Sequence, residues 1–111
     1  MELNVRTESG VAVVDVEGEV DIHGTPHLRD TLTELVKRAS AKVVVNMARV
    51  NYIDSSGLGV LVGAMKEAGK TGGKLVLAGL TREVRTVFDL TRLARFFEIY
   101  DDAATALTRL S

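Results

Sequence analysis

A strand pattern and a helix pattern follow each other directly in residues 43–65, which run VVVNMARVNYIDSSGLGVLVGAM. The triplet Val43-Val44-Val45 is continuously apolar and β-branched, which is typical of a strand buried on both faces under helices. Apolar residues then recur at the spacing of one helix face, at Leu58, Leu61, Val62 and Met65. The stretch therefore predicts a strand–helix unit with the acid and two hydroxyls of Asp54-Ser55-Ser56 at its junction.

The residues before this unit show the same two patterns. Leu3, Val5 and Thr7 predict a first strand, and residues 11–17 predict a second that follows it through a short hairpin. We expect Thr25 to cap the first helix, with Pro26 in the first turn, where its missing N–H costs nothing. The apolar face of this helix is expected at Leu28, Leu32, Leu35, Val36 and Ala39.

The residues after the unit predict three further elements. Gly72-Gly73 is expected to end the second helix, and residues 75–78 predict another buried strand. Thr81 is expected to cap a third helix. Residues 96–100 predict a short last strand, and Asp101 is expected to cap a final helix.

These elements predict a single α/β domain over residues 1–111, in the order β-β-α-β-α-β-α-β-α. Crossovers between parallel strands are right-handed and place helices over the sheet, so we expect a mostly parallel, mixed sheet of about five strands with about four helices. The first strand is expected at an edge, antiparallel to its neighbour. Gly59 and Gly63 each weaken a helix by about 1 kcal/mol relative to Ala, which predicts close packing of this helix against the sheet or a partner.

The composition is that of an ordinary globular protein, with 46% hydrophobic and 26% charged residues. The formal net charge of −1 provides no basic field for nucleic acid or an anionic membrane. The absence of cysteine excludes disulfides, zinc-thiolate sites and cysteine nucleophiles. Residues 1–10 lack the apolar core of a signal peptide, and no run approaches the ~20 apolar residues of a membrane span. We therefore expect a cytoplasmic protein that binds neither nucleic acid nor membrane.

Two segments are similar to nucleotide-binding motifs. Residues 64–71, Ala-Met-Lys-Glu-Ala-Gly-Lys-Thr, match a relaxed phosphate-loop pattern, but they fall at the end of a predicted helix instead of before its start. The spacing of Gly57, Gly59 and Gly63 is similar to a dinucleotide fingerprint, yet Ala78-Gly79 stands where the matching acid belongs. We expect neither segment to bind a nucleotide.

Catalytic and metal sites have equally weak support. Ser55 or Ser56 could form a triad with His23 or His27 and an Asp, but no glycine stands two residues before either serine, as a nucleophile elbow requires. The two histidines are four residues apart, but Pro26 places them on opposite sides of a helix start, and no third ligand is evident. We expect no enzyme activity, no resident cofactor and no metal.

Polar residues that follow successive strands are the best candidates for function. Asp21 follows the strand-like run 17–20, and Asp54, Ser55 and Ser56 follow the next strand. Loops after neighbouring parallel strands open at the same edge of a sheet, so we expect these side chains to share one surface. The alternatives are local, with Asp21 as a turn residue and Asp54 as a helix cap. A serine at a helix start can likewise cap the helix, or stand exposed where the helix dipole favours an added phosphate.

Three stretches resemble the STAS-domain anti-sigma factor antagonists. They are Asp54-Ser55-Ser56-Gly57-Leu58-Gly59 after an apolar strand, Gly18-Glu19-Val20-Asp21 followed by Thr25-Pro26-His27-Leu28-Arg29, and Phe88-Asp89-Leu90-Thr91-Arg92-Leu93 followed by Phe97-Glu98-Ile99-Tyr100 and Ala106-Leu107. The resemblance covers nearly the whole chain in order. Arg92 stands where the family often has Gly, and Gly24 is unusual in the loop after Asp21.

The resemblance implies a small α/β protein that regulates by binding. When unphosphorylated, it captures an anti-sigma factor that is also a serine kinase, and sigma factor is released. The kinase supplies ATP and Mg²⁺ and phosphorylates Ser55, and a serine phosphatase reverses the modification. The partner-binding positions that the resemblance implies are Asp21, Thr25, Asp54, Ser56, Gly57 and Leu58.

Within this motif, we expect Ser56 to cap the helix and Ser55 to carry the exposed, modifiable hydroxyl. We expect a monomer or a weak dimer. One alternative is a STAS scaffold subunit of a stressosome-like assembly or of a lipid ABC transporter, which a large homo-assembly or a co-purifying transporter ATPase would favour. A second alternative is a nucleotide-binding protein or enzyme, which calorimetry with ATP and GTP would test.

Overall fold

A computed structural model describes all 111 residues. One sheet is formed, in spatial order, by five strands: β1 (Glu2–Glu8), β2 (Val11–Val20), β3 (Lys42–Ile53), β4 (Lys74–Ala78) and β5 (Ile99–Tyr100). Strand β1 is antiparallel to β2, and every other neighbouring pair is parallel. The mixed sheet with an antiparallel strand at its edge confirms the predicted architecture.

Helices cover both faces of this sheet. They are α1 (Thr25–Val36), α2 (Ser55–Lys70), α3 (Arg82–Leu90) and α4 (Ala103–Leu110), with a short 3-10 helix at Leu93–Phe96. Helices α1, α2 and α3 contribute to a larger core on one face, and α4 to a smaller core on the other. Val43 and Val45 face the larger core and Val44 faces the smaller one, all without exposed surface. The prediction of a strand buried on both faces is confirmed.

The unequal lengths of β3 and β4 shape one edge of the sheet. Strand β3 pairs with β4 only as far as Asn46, opposite Ala78, but it continues beside β2 until Ile53 lies opposite Val20. The loops that follow β2 and β3 therefore leave the sheet side by side. The open side of β3 is contacted by the start of α3, where the Thr81 hydroxyl donates to the carbonyl oxygen of Val50 at 2.7 Å.

Several predicted element ends are wrong by a few residues. Gly24, not Thr25, is the N-cap of α1, because the carbonyl oxygen of Asp21 accepts the N–H groups of both Gly24 and Thr25 and already turns the chain. Helix α1 ends at Val36, so Ala39 lies beyond it. Asp102, not the preceding aspartate Asp101, caps α4 by accepting the N–H of Thr105 at 2.7 Å. The last strand is only Ile99–Tyr100, because Phe96 ends the 3-10 helix and the chain bends at Phe97 before it joins the sheet.

Of the two predicted reasons for Gly59 and Gly63 in α2, packing on the sheet is wrong and packing against a partner stays a prediction. No atom of the protein beyond the helix's own neighbouring backbone lies within 4 Å of a Cβ added at Gly59 or Gly63, so neither packs against the sheet. The glycine that does is Gly57, where an added Cβ would lie 2.7 Å from Val20 Cγ1 and 2.8 Å from Ile53 Cγ1. The first turn of α2 therefore packs directly on the ends of β2 and β3.

Candidate functional site

The loops after β2 and β3 are joined by a hydrogen bond between their backbones. The N–H of Asp54 donates to the carbonyl oxygen of Val20 at 3.1 Å. In the first loop, the Asp21 carboxylate accepts the N–H of His23 at 3.0 Å and that of Gly24 at 3.3 Å. Asp21 is thus a turn residue, as the local alternative predicted. Its carboxylate also lies at the edge of the sheet where the loops after β2 and β3 meet.

Asp54 begins α2 as its N-cap. Its Oδ1 atom accepts the N–H of Gly57 at 3.1 Å and the hydroxyl of Ser56 at 2.5 Å, while its carbonyl oxygen accepts the N–H of Leu58. The prediction that Ser56 caps the helix is therefore wrong. Ser56 lies inside the first turn, where its hydroxyl is a donor to the cap and not the cap itself.

The hydrogen bonds around Asp54 keep its carboxyl group ionised. The Ser56 hydroxyl is the main cause of a pKa below the ordinary value, and the backbone N–H groups of Gly57, Ser56 and Ile22 lower the pKa further. The site therefore carries a fixed negative charge at neutral pH.

Ser55 is the first residue of α2, and its side chain is exposed. Its hydroxyl takes no part in the hydrogen bonds that engage Asp54 and Ser56. The rigid first turn holds this hydroxyl at the surface, because Gly57 packs on the strand ends directly beneath it. Ser55 is therefore the accessible hydroxyl of the pair, as predicted.

The structure separates the predicted partner-binding positions into two groups. Asp21, Asp54 and Ser56 are partly exposed at the shared edge beside Ser55. Thr25, Gly57 and Leu58 are buried, so they shape this surface from beneath and present no side chain to a partner.

Sequence analysis missed Ile22. Its side chain is 66% exposed, and it directly follows Asp21 in the loop after β2. The available signal was one aliphatic residue in the polar loop sequence Asp-Ile-His-Gly-Thr-Pro-His at positions 21–27.

The segment that matches the relaxed phosphate-loop pattern does not form a loop before a helix. Residues 64–70 form the last turns of α2, where Lys70 pairs with Glu67 at 2.9 Å. The Thr71 hydroxyl donates to the carbonyl oxygen of Arg38 at 3.2 Å. No three His, Asp or Glu side chains are grouped as metal ligands. No helix is long and apolar enough to cross a membrane.

A depression in the surface lies on the sheet, away from these loops. It has a volume of about 720 Å³ and lies over the polar part of β1, β2 and β3 that α4 leaves uncovered. Its central carboxylate, Asp15, is already paired, since it accepts from Arg6 at 2.9 Å and from Asn46 at 2.8 Å. These polar groups satisfy one another and indicate no ligand.

The sequence model of the STAS domain family matches residues 2–106. The chain belongs to the STAS domain family. The anti-sigma F factor antagonist of Paenibacillus polymyxa is 29% identical over 99% of this chain and 95% of its own length. The anti-sigma-B factor antagonist of Bacillus subtilis is 34% identical over 87% of this chain and 88% of its own. Among solved structures, an anti-sigma factor antagonist from Mycobacterium paratuberculosis is 28% identical, with a TM-score of 0.88 over 98% of this chain and 92% of its own.

One departure from the family pattern lies at a position where the backbone of this STAS domain is left-handed. Arg92, where the family often has Gly, follows α3 and adopts the left-handed conformation with φ +61°. This conformation favours glycine. The turn keeps the shape that a glycine would allow, and Arg92 occupies it at some cost in backbone strain.

Proposed function

We propose that this STAS domain is an anti-sigma factor antagonist switched by phosphorylation of Ser55. In its unphosphorylated form it binds an anti-sigma factor that is also a serine kinase, so that sigma factor is released. The kinase phosphorylates Ser55, the complex dissociates, and a serine phosphatase restores the active form. The observation that carries the proposal is the exposed Ser55 hydroxyl at the start of α2, beside the ionised Asp54 and the Asp21 loop.

The relatives support the coarser part of this proposal. Curated proteins that align over most of the chain are named as antagonists of anti-sigma F and anti-sigma-B factors. The proposed kinase brings the ATP and Mg²⁺ for phosphoryl transfer, so this chain needs no cofactor of its own. The proposed partners act in the cytoplasm.

The hydrogen bonds favour Ser55 over Ser56 as the acceptor. A kinase must reach a hydroxyl whose oxygen is free to attack the γ-phosphate. The Ser56 hydroxyl lies partly buried and donates to Asp54 at 2.5 Å. Its modification would remove that hydrogen bond and place a phosphate against the helix cap.

Electrostatics explains how the phosphate acts. It adds about −1.5 to −2 charges at neutral pH. Asp54 adjoins it with a carboxylate that stays charged because its pKa is lowered by the Ser56 hydrogen bond. The dipole of α2 offsets only about 0.3–1 kcal/mol of the repulsion between the phosphate and this carboxylate. Loss of the complex is therefore the expected result, with the fold unchanged.

The test is a phosphorylation assay with the purified cognate kinase. Incubation with ATP and Mg²⁺ should add one phosphate to Ser55, located by mass spectrometry of proteolytic fragments. Ser55→Ala should abolish modification and keep binding, whereas Ser56→Ala should still be modified at Ser55. A phosphate found only at another residue would refute the assignment.

A charge substitution tests the switch separately from the chemistry. Ser55→Asp should weaken binding to the anti-sigma factor, because it places a second carboxylate beside Asp54. Ser55→Asn is the matched control of similar shape without the charge. Equal affinities for these two variants in a calorimetric titration would contradict the electrostatic explanation.

A further inference from the structure

Ile22 lies in a loop whose backbone is held on both sides of the residue. Its carbonyl oxygen accepts the hydroxyl of the buried Thr25 at 3.4 Å, and Val20, two residues before it, accepts the N–H of Asp54 at 3.1 Å. The residue before it, Asp21, accepts the N–H groups of His23 and Gly24. The position of Ile22 is therefore set before any partner arrives.

The side chain of Ile22 nevertheless contributes little to the core. It is 66% exposed, in contrast to the other aliphatic residues near the strand ends, Val20 and Ile53, which are 0% and 3% exposed. An exposed aliphatic side chain on a fixed loop loses little conformational freedom when it enters a binding pocket. Folding thus leaves Ile22 both exposed and preorganised.

The location of Ile22 distinguishes it from most other exposed apolar side chains. Val5 lies on the edge strand β1, Leu90 at the end of α3 and Phe96 in the 3-10 helix. Ile22 lies two residues after Val20, whose carbonyl oxygen accepts the N–H of Asp54, the residue directly before Ser55. It is therefore part of the surface on which Ser55 lies.

We propose that Ile22 is the apolar anchor of this surface and enters an apolar pocket on the anti-sigma factor. The inference rests on the proposed function and adds the chemistry of the partner. Asp21 and Asp54 lie on either side of this anchor in the two loops, with carboxylates engaged by backbone N–H groups.

Alanine substitution tests the anchor. Ile22→Ala should raise the Kd for the purified cognate anti-sigma factor at least about tenfold, since burial of an aliphatic side chain corresponds to a factor of roughly 10–100 in affinity. Ile22→Leu should retain most of the affinity. Val5→Ala and Leu90→Ala are matched controls on exposed aliphatic positions away from Ser55, and their Kd should change less than twofold.

Two further measurements separate a binding effect from a folding defect. The thermal midpoint of Ile22→Ala should match that of the unmodified sequence, because the removed atoms are mostly exposed. At saturating kinase, Ser55 of this variant should be phosphorylated at the normal maximal rate, with only the half-saturating concentration raised.

The outcomes distinguish this inference from the proposed function. If the unsubstituted chain binds the anti-sigma factor and is modified on Ser55, but Ile22→Ala binds equally well, the anchor is refuted and the function stands. If the unsubstituted chain does not bind, both are refuted. A loss of self-association in sedimentation experiments, with unchanged affinity for the anti-sigma factor, would assign Ile22 to contacts between copies and would also overturn the inference.

Discussion

Alanine at Gly57 and alanine at Gly63 should change the stability of this STAS domain in opposite directions, although both residues lie in α2. At Gly57, a Cβ would lie 2.7 Å from Val20 Cγ1 and 2.8 Å from Ile53 Cγ1. Those two side chains are β-branched and belong to strands, so they have little freedom to move aside. At Gly63, nothing beyond the helix's own backbone lies within 4 Å.

The magnitudes follow from these distances. Overpacking of a core costs about 1–3 kcal/mol, and replacement of a helical glycine by alanine stabilises by up to about 1 kcal/mol. Gly57→Ala should therefore lower the free energy of unfolding by about 1–2 kcal/mol. Gly63→Ala should raise it by about 0.5–1 kcal/mol. In a domain of this size, 1 kcal/mol corresponds to a change in thermal midpoint of about 3–6 °C.

Urea unfolding followed by circular dichroism measures both changes. Gly69→Ala is the control, since it lies in the same helix with nothing within 4 Å and should behave like Gly63→Ala. A Gly57→Ala protein as stable as the unsubstituted chain would refute the packing of α2 on the strand ends. A destabilised Gly63→Ala protein would show that this glycine has an internal role that the structure lacks.

Three further substitutions test the backbone and the charge at the site. Arg92→Gly should stabilise the protein by about 1 kcal/mol in urea unfolding, because φ is +61° there, whereas Arg92→Ala should not. Asp54 has a lowered pKa, so its charge stabilises the fold above its unfolded pKa near 3.8 and ceases to do so as the pH falls through the folded value. The stability difference between the unsubstituted chain and Asp54→Asn should therefore narrow below pH 4, and a difference that is constant from pH 7 to pH 2 would contradict this assignment. Ser56→Ala should raise the pKa of Asp54 in an NMR titration of its carboxyl carbon, because the Ser56 hydroxyl is the main cause of the lowered value.

Hydrophobic periodicity was sufficient to predict the order of the strands and helices. The period of two in β1 and β2, the continuous apolar run in β3 and the helical spacing in α2 are local properties, and each corresponds to an element of the structure. The position of Asp21 and Asp54 at one edge of the sheet was also predictable, because the loops that follow neighbouring parallel strands leave the sheet at the same edge. Element ends were less predictable. Thr25, Asp101 and Ser56 are all residue types that cap helices, but the caps are Gly24, Asp102 and Asp54, one or two positions away.

The amino-acid sequence by itself determined the α/β architecture and the placement of two serines at a helix start, since hydrophobic periodicity and strand–helix alternation are written in the chain. Only the tertiary structure decided the role of each serine. The start of α2 is set by the packing of Gly57 on Val20 and Ile53, which places Asp54 at the cap, Ser56 against it and Ser55 outside. Only the tertiary structure likewise shows that the Ile22 side chain is 66% exposed, outside the core that covers Val20 and Ile53. The contact between Gly57 and Val20 joins residues more than thirty positions apart, beyond the reach of any local pattern.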